Sequence, residues 1–193
     1  ISTQNDWIGF VKFSALANLV LPLGIVWLFF AQSVRKLPMK DQRQNAWNYG
    51  WNFSDWKTHL KYAAVLFAAL LPLIFWASRD ENFRSYYLDY LPAPGDVSTP
   101  LLILTLIVYM FCWEWFFRGF LLFGIAQGFG AVVAIVVQAA LFGAMHWGKP
   151  MAEFYSSFIG GLILGIVAWR QKSFAVAFYI HALLHIAWAL LVR

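Results

Sequence analysis

The sequence predicts an all-α fold, a polytopic membrane helical bundle of about six transmembrane helices. Three observations carry that expectation. The 193 residues are 62% hydrophobic with a mean hydropathy of +0.65. Only 12% are charged, about half the share usual in a soluble domain. Apolar runs then recur along the chain, each near the roughly 20 residues that cross about 30 Å of hydrocarbon as a helix. Aromatic residues reach 20%, with 11 Trp, which suits long lipid-facing and interfacial surfaces.

Six runs qualify, over residues 7–32, 59–78, 100–127, 131–147, 152–170 and 174–192. Gly128-Phe129-Gly130 reads as the tight turn between the third and fourth. Few residues are left for loops, so 1–193 is expected to form a single transmembrane domain, with its chemistry concentrated in a core of about 100–190. No internal repeat is visible. The lone cysteine, Cys112, lies in an apolar run and excludes an intrachain disulfide or a cysteine metal cluster. No separate signal peptide is read, and the first span is expected to serve as the insertion signal.

The formal charge is +5, but the basic residues form no stripe for nucleic acid. Arg35, Lys36, Lys40, Arg43, Lys57 and Lys61 cluster between the first two runs, a pattern suited to anionic headgroups at the cytoplasmic face. The turn with Arg170 and Lys172 is also basic. The segment 79–99 holds Asp80, Glu81, Asp89 and Asp96 against Arg79 and Arg84. Positive-inside counting therefore puts 33–58 and 170–173 in the cytoplasm and both termini outside. Over 41–56, Trp47, Trp51 and Trp56 alternate with Asn and Gln, as in an amphipathic stretch lying at the interface.

Five ionisable residues fall within the apolar spans: Glu114, Arg118, His146, His181 and His185. Glu and Arg each cost about 2.5–3.5 kcal/mol at a bilayer centre on insertion scales, so such groups mark function or pairing. Glu114 lies before the glycine turn about as far as His146 lies after it, roughly 22–26 Å at helical rise. Two antiparallel arms would bring a carboxylate and an imidazole to one depth. Glu114 and Arg118 are spaced for a helical ion pair, which can be structural or can orient the carboxylate. His146 shares a helical face with Ala139 and Gly143. His181 and His185 share a face one turn apart, a spacing that serves metal ligation or oxyanion donation. Glu153 heads a ladder of Ser157, Gly161 and Gly165 expected to face the bundle; it reads equally as an acidic helix start.

The stretch Trp113-Glu114-Trp115-Phe116-Phe117-Arg118-Gly119 resembles the first motif, Glu-Glu-x-x-x-Arg, of the CAAX-protease and bacteriocin-processing (CPBP) family. Phe142-Gly143-Ala144-Met145-His146 is similar to its second, Phe-x-x-x-His. His181-Ala182-Leu183-Leu184-His185 resembles its third, His-x-x-x-Asn/Asp. The order is the family's, over roughly 100–190. The resemblance implies a glutamic-type intramembrane endopeptidase in which the first glutamate and the second-motif His activate water and the third motif stabilises the oxyanion. Two positions depart: Trp113 replaces the first glutamate, and His185 replaces Asn or Asp. His146-Trp147-Gly148-Lys149-Pro150-x-x-Glu153 resembles a variant branch with Trp-Glu in the first motif.

The resulting expectation is a multi-pass protein of a prokaryotic inner membrane that cleaves a membrane-embedded or lipid-anchored peptide, with the bilayer as partner and no nucleic acid. Glu114 with His146 is expected to activate water. His181 and His185 form the oxyanion side, Arg118 orients Glu114, and Glu153 is the alternative base. No cofactor is expected; the alternative is one Zn²⁺ held by Glu114, His146, His181 and His185. A non-catalytic scaffold or immunity-type protein of the same fold is the rival of a different class, supported by the missing glutamate. The sequence lacks a Ser-His-Asp pattern, a Gly-x-Ser-x motif and His-Glu-x-x-His.

Overall fold

The structure, a computed structural model, describes residues 3–34 and 49–193. Arg35, Lys36, Lys40, Arg43 and Trp47 lie outside the described residues. Among those described, all regular structure is helical. α1 (Gln4–Ala15) runs through a π-helical turn, π1 (Leu16–Val20), into α2 (Leu21–Val34). α3 (Trp56–Ala77) and the short α4 (Glu81–Tyr90) follow. α5 (Thr99–Glu114) continues through π2 (Trp115–Leu121) into α6 (Leu122–Ala144). α7 (Met151–Gln171) and α8 (Ala175–Val192) complete the bundle. Among the described residues, five helical stretches are long and apolar enough to cross a membrane, one of them 46 residues long. The chain is an integral, multi-pass membrane protein.

That longest stretch is a hairpin. Gly130 has φ +81° and ψ 168° inside α6, a conformation open to glycine because it has no Cβ. The arms then run side by side. Phe117 packs on Phe142 and Trp113 on His146, with ring centroids 5.3 and 6.4 Å apart, each pair about equally far from Gly130 along the chain. Counting its two arms separately, the long apolar stretches among the described residues number six, as the hydropathy runs anticipate.

Local sequence explains the helix ends. Thr3 caps α1 by accepting from the Asp6 N–H, Asp55 caps α3, and Asp80 caps α4 through the Phe83 N–H, each satisfying an otherwise unpaired first-turn donor. Pro100 stands in the first turn of α5, where its missing N–H costs nothing. α7 ends in a left-handed Lys172, φ 52°. Within the bundle, α8 is central: over half of its span is buried, against about a fifth for the other spans. Trp7 Nε1 donates to Thr105 Oγ1 at 2.8 Å, pinning α1 to α5 across an apolar interface.

Two features differ from the sequence reading. The acidic segment 79–99, read as a loop, contains α4, which lays Phe83 and Tyr87 onto Trp188 of α8 with centroids 5.4 and 5.6 Å away. In the described part of the tryptophan-rich stretch, helix begins only at Trp56. Trp51 packs against Phe111, Trp115 and Phe174.

The small-residue ladder of α7 faces inward as expected: Ser157, Gly161 and Gly165 are buried. A Cβ on Gly161 would sit 3.0 Å from the Ala139 backbone, and one on Gly143 would run into the Phe158 ring. Gln138 locks the same interface by donating to the Gly161 carbonyl at 2.8 Å. We expect Gly143→Ala to destabilise the bundle by about 1–3 kcal/mol through overpacking. Thermal unfolding in detergent checks this, and Gly160→Ala, with open space around its Cβ, is the control.

Candidate active site

Chemistry enters this apolar bundle where α5 hands over to π2. Glu114 is the last residue of α5, and π2 carries Arg118. Both side chains are wholly buried, and Arg118 Nη1 lies 3.0 Å from each Glu114 oxygen. The guanidinium carbon sits 3.9 Å above the centre of the Phe142 ring, a cation–π contact strengthened by exclusion of water. Neither charge is left alone in the low-dielectric interior.

Glu114 has a second partner. His181 Nδ1 of α8 lies 2.5 Å from Glu114 Oε1. The carboxylate thus pairs with His181, and His146 instead neighbours Trp113. Equal depth on antiparallel arms predicts level but not azimuth. Successive helical residues point about 100° apart, so Trp113 faces α6 while Glu114 faces α8.

The three histidines share one polarity. His146 Nδ1 is 2.7 Å from the Phe142 carbonyl, and His185 Nδ1 is 3.3 Å from the His181 carbonyl. A carbonyl oxygen only accepts, so both Nδ1 atoms donate and each neutral ring carries its lone pair on Nε2. The Glu114 carboxylate imposes the same tautomer on His181. His181 and His185 have ring centroids 5.0 Å apart, and Phe142 packs 4.6 and 5.7 Å from the His146 and His181 rings.

His146, His181 and His185 all line a cavity of about 540 Å³ between α3, α7 and α8. Its walls are mainly hydrocarbon, from residues such as Leu70, Ile74, Ile163 and Leu184. Glu114 does not reach this cavity; it stands behind His181. The carboxylate on the wall is Glu153, on the first turn of α7. Lys149 Nζ donates to Glu153 Oε1 at 2.7 Å, and the Tyr87 hydroxyl reaches both carboxylate oxygens at 3.0 and 2.9 Å. Burial, then the neighbouring Glu153 carboxylate, pushes the Tyr87 phenol well above its ordinary range, so it keeps its proton and donates.

Among the described residues, no three His, Cys, Asp or Glu side chains are grouped as metal ligands. Of the sequence candidates, Glu114, Arg118 and His181 form one connected buried group; His146, His181, His185 and Glu153 share the cavity. Tyr87 and Lys149 were not singled out as site residues from sequence. For Tyr87 a signal existed: Asp80 as a cap, Glu81 in the first turn, and Phe83, Tyr87 and Tyr90 on one helical face.

Comparison with known proteins finds a family match over the later part of the chain. No curated protein and no solved structure matches it. Residues 95–187 match the family model described as Type II CAAX prenyl endopeptidase Rce1-like. That stretch contains Glu114, Arg118, His146, Glu153, His181 and His185, whereas Tyr87 precedes it. The stretch that supplies His146, Glu153, His181 and His185 to the cavity is therefore similar to a family of CAAX-type membrane peptidases.

Proposed function

We propose that this chain is an intramembrane endopeptidase that hydrolyses a membrane-embedded or lipid-anchored peptide in a prokaryotic inner membrane. The observation that carries the reading is the buried Glu114–His181 pair at 2.5 Å, with His181 lining the cavity. A carboxylate on Nδ1 fixes the tautomer and favours a proton on Nε2, the arrangement of a histidine general base.

In the proposed reaction, water in the cavity is held by the Nε2 lone pairs of His181 and His146, which leaves its own lone pair for the scissile carbonyl. His181 Nε2 takes the water proton as the C–O bond forms. The same nitrogen returns it to the departing amine as the C–N bond breaks, giving an amine and a carboxylic acid, whose remaining water-derived proton then passes to solvent to leave the carboxylate. Glu114 acts through His181, and Arg118 keeps Glu114 ionised and aimed. His185 continues the polar wall one turn further along α8. Glu153 lines the same cavity from α7.

The test compares membrane proteomes of cells expressing the wild type and Glu114→Gln. The expected result is one or a few uncleaved precursors that accumulate with the variant. Identical proteomes would overturn the peptidase reading. The proposed steps use no metal ion. Cleavage should survive chelation, and stoichiometric zinc in the purified protein, with activity lost on its removal, would replace this mechanism with metal-assisted hydrolysis.

A further inference from the structure

The peptidase reading leaves Glu153 and its two partners without a task. Tyr87 comes from α4, outside the stretch similar to the peptidase family, yet it is buried and spends its hydroxyl on Glu153. Lys149 reaches the same carboxylate from the turn before α7. A carboxylate has about four acceptor sites, so these two donors leave capacity to spare. Its side chain is 18% exposed, and it lines the same cavity as the three histidines.

The lining is otherwise mainly apolar, through Leu66, Leu70 and Ile74 of α3 and Ile163 and Leu164 of α7, with the hydroxyls of Ser156 and Ser157 beside Glu153 already donating to backbone carbonyls. An apolar peptide segment lying there must still satisfy its backbone N–H groups, since an unsatisfied donor in such surroundings is costly. Glu153 is the carboxylate acceptor among the residues lining that space. Lys149 neutralises its charge, and Arg118 likewise neutralises Glu114, so neither charge pair has a net charge to draw in a basic side chain. The chemistry fits a neutral N–H donor on an uncharged segment.

We propose that Glu153 accepts a backbone N–H of an apolar peptide substrate bound in the cavity it shares with the histidines, and that Tyr87 and Lys149 are positioning residues that hold its carboxylate in place. The proposal rests on the peptidase reading above. It assigns α4 a part in substrate recognition that motif positions 95–187 do not contain.

The test uses the precursor that accumulates with Glu114→Gln, purified and presented to the purified full chain in liposomes. Steady-state kinetics are measured for the wild type, Tyr87→Phe, Glu153→Ala and the double variant. Tyr87→Phe keeps the ring that stacks on Phe83 and Trp188 and removes only the hydroxyl. It should raise KM about fivefold, with kcat within about twofold. In the Glu153→Ala background the same change should add nothing, because Tyr87 acts through Glu153. An unchanged KM, a fall confined to kcat, or penalties that simply add would overturn the assignment. Should Tyr87→Phe fail to fold, Lys149→Met carries the same expectations through Oε1. If no precursor accumulates with Glu114→Gln, the peptidase reading falls and this inference with it. If the precursor is cut but Tyr87 and Lys149 variants behave as wild type, only the role of Glu153 is lost.

Discussion

Glu114→Gln should slow precursor cleavage about 10²–10⁴-fold, because it removes a charge that acts on the general base. It also leaves the buried Arg118 without its carboxylate and so lowers stability, and rates are therefore compared per folded protein. The glutamine can still accept from Arg118 Nη1, now 3.0 Å from Oε1. What it cannot do is guarantee the tautomer. Its amide can present a donor to His181 Nδ1, which moves the ring proton to Nε2 and silences the base. Nor does it stabilise the imidazolium formed when water loses its proton. Rates with the purified chain in liposomes check this, and the double variant Glu114→Gln/His181→Ala is the sharper comparison. If Glu114 works through His181, the double variant is no slower than His181→Ala alone. Were Glu114 instead partnered with His146 in the reaction, that coupling would appear with His146→Ala.

Arg118→Met should cost about 3–5 kcal/mol of stability, the range for stripping the partner from a buried charge. Both members of the pair are completely buried, and the guanidinium also covers the Phe142 ring. Removing it strands the Glu114 carboxylate in hydrocarbon with His181 as its remaining partner. Arg118→Lys should recover only part of the loss, since an ammonium lacks the planar face that stacks on Phe142. The combination Glu114→Gln/Arg118→Met removes both charges and should recover most of the stability, though not the activity. Thermal unfolding in detergent separates these variants. A single Arg118→Met as stable as wild type would mean that the ion pair does not hold the interior together.

Much of this was legible from residue order. Helix count and limits follow from hydrophobic length, because a bilayer accepts only segments that satisfy their own backbone. The Gly130 turn follows from the glycines, and the importance of Glu114, Arg118, His146, His181 and His185 from the cost of placing them in apolar runs. Neighbour choice was less accessible. Spacing along α5 and α6 put Glu114 and His146 at one level, but the helix rotation that sends Glu114 to His181 depends on how α5, α6 and α8 pack. Helix α4 was hidden for a different reason: its ten residues are too polar for a membrane run, and its aromatic face becomes meaningful only against Trp188 and Glu153.

Periodicity and the cost of burying charge thus act locally and can be read one helix at a time; they supplied the bundle, its hairpin and the list of polar intruders. Which intruders meet is a property of interhelical rotation, set by the summed contacts of small and aromatic side chains across separate helices. Only the folded arrangement could place Glu114 behind His181, bring Tyr87 to Glu153, and open one cavity between them.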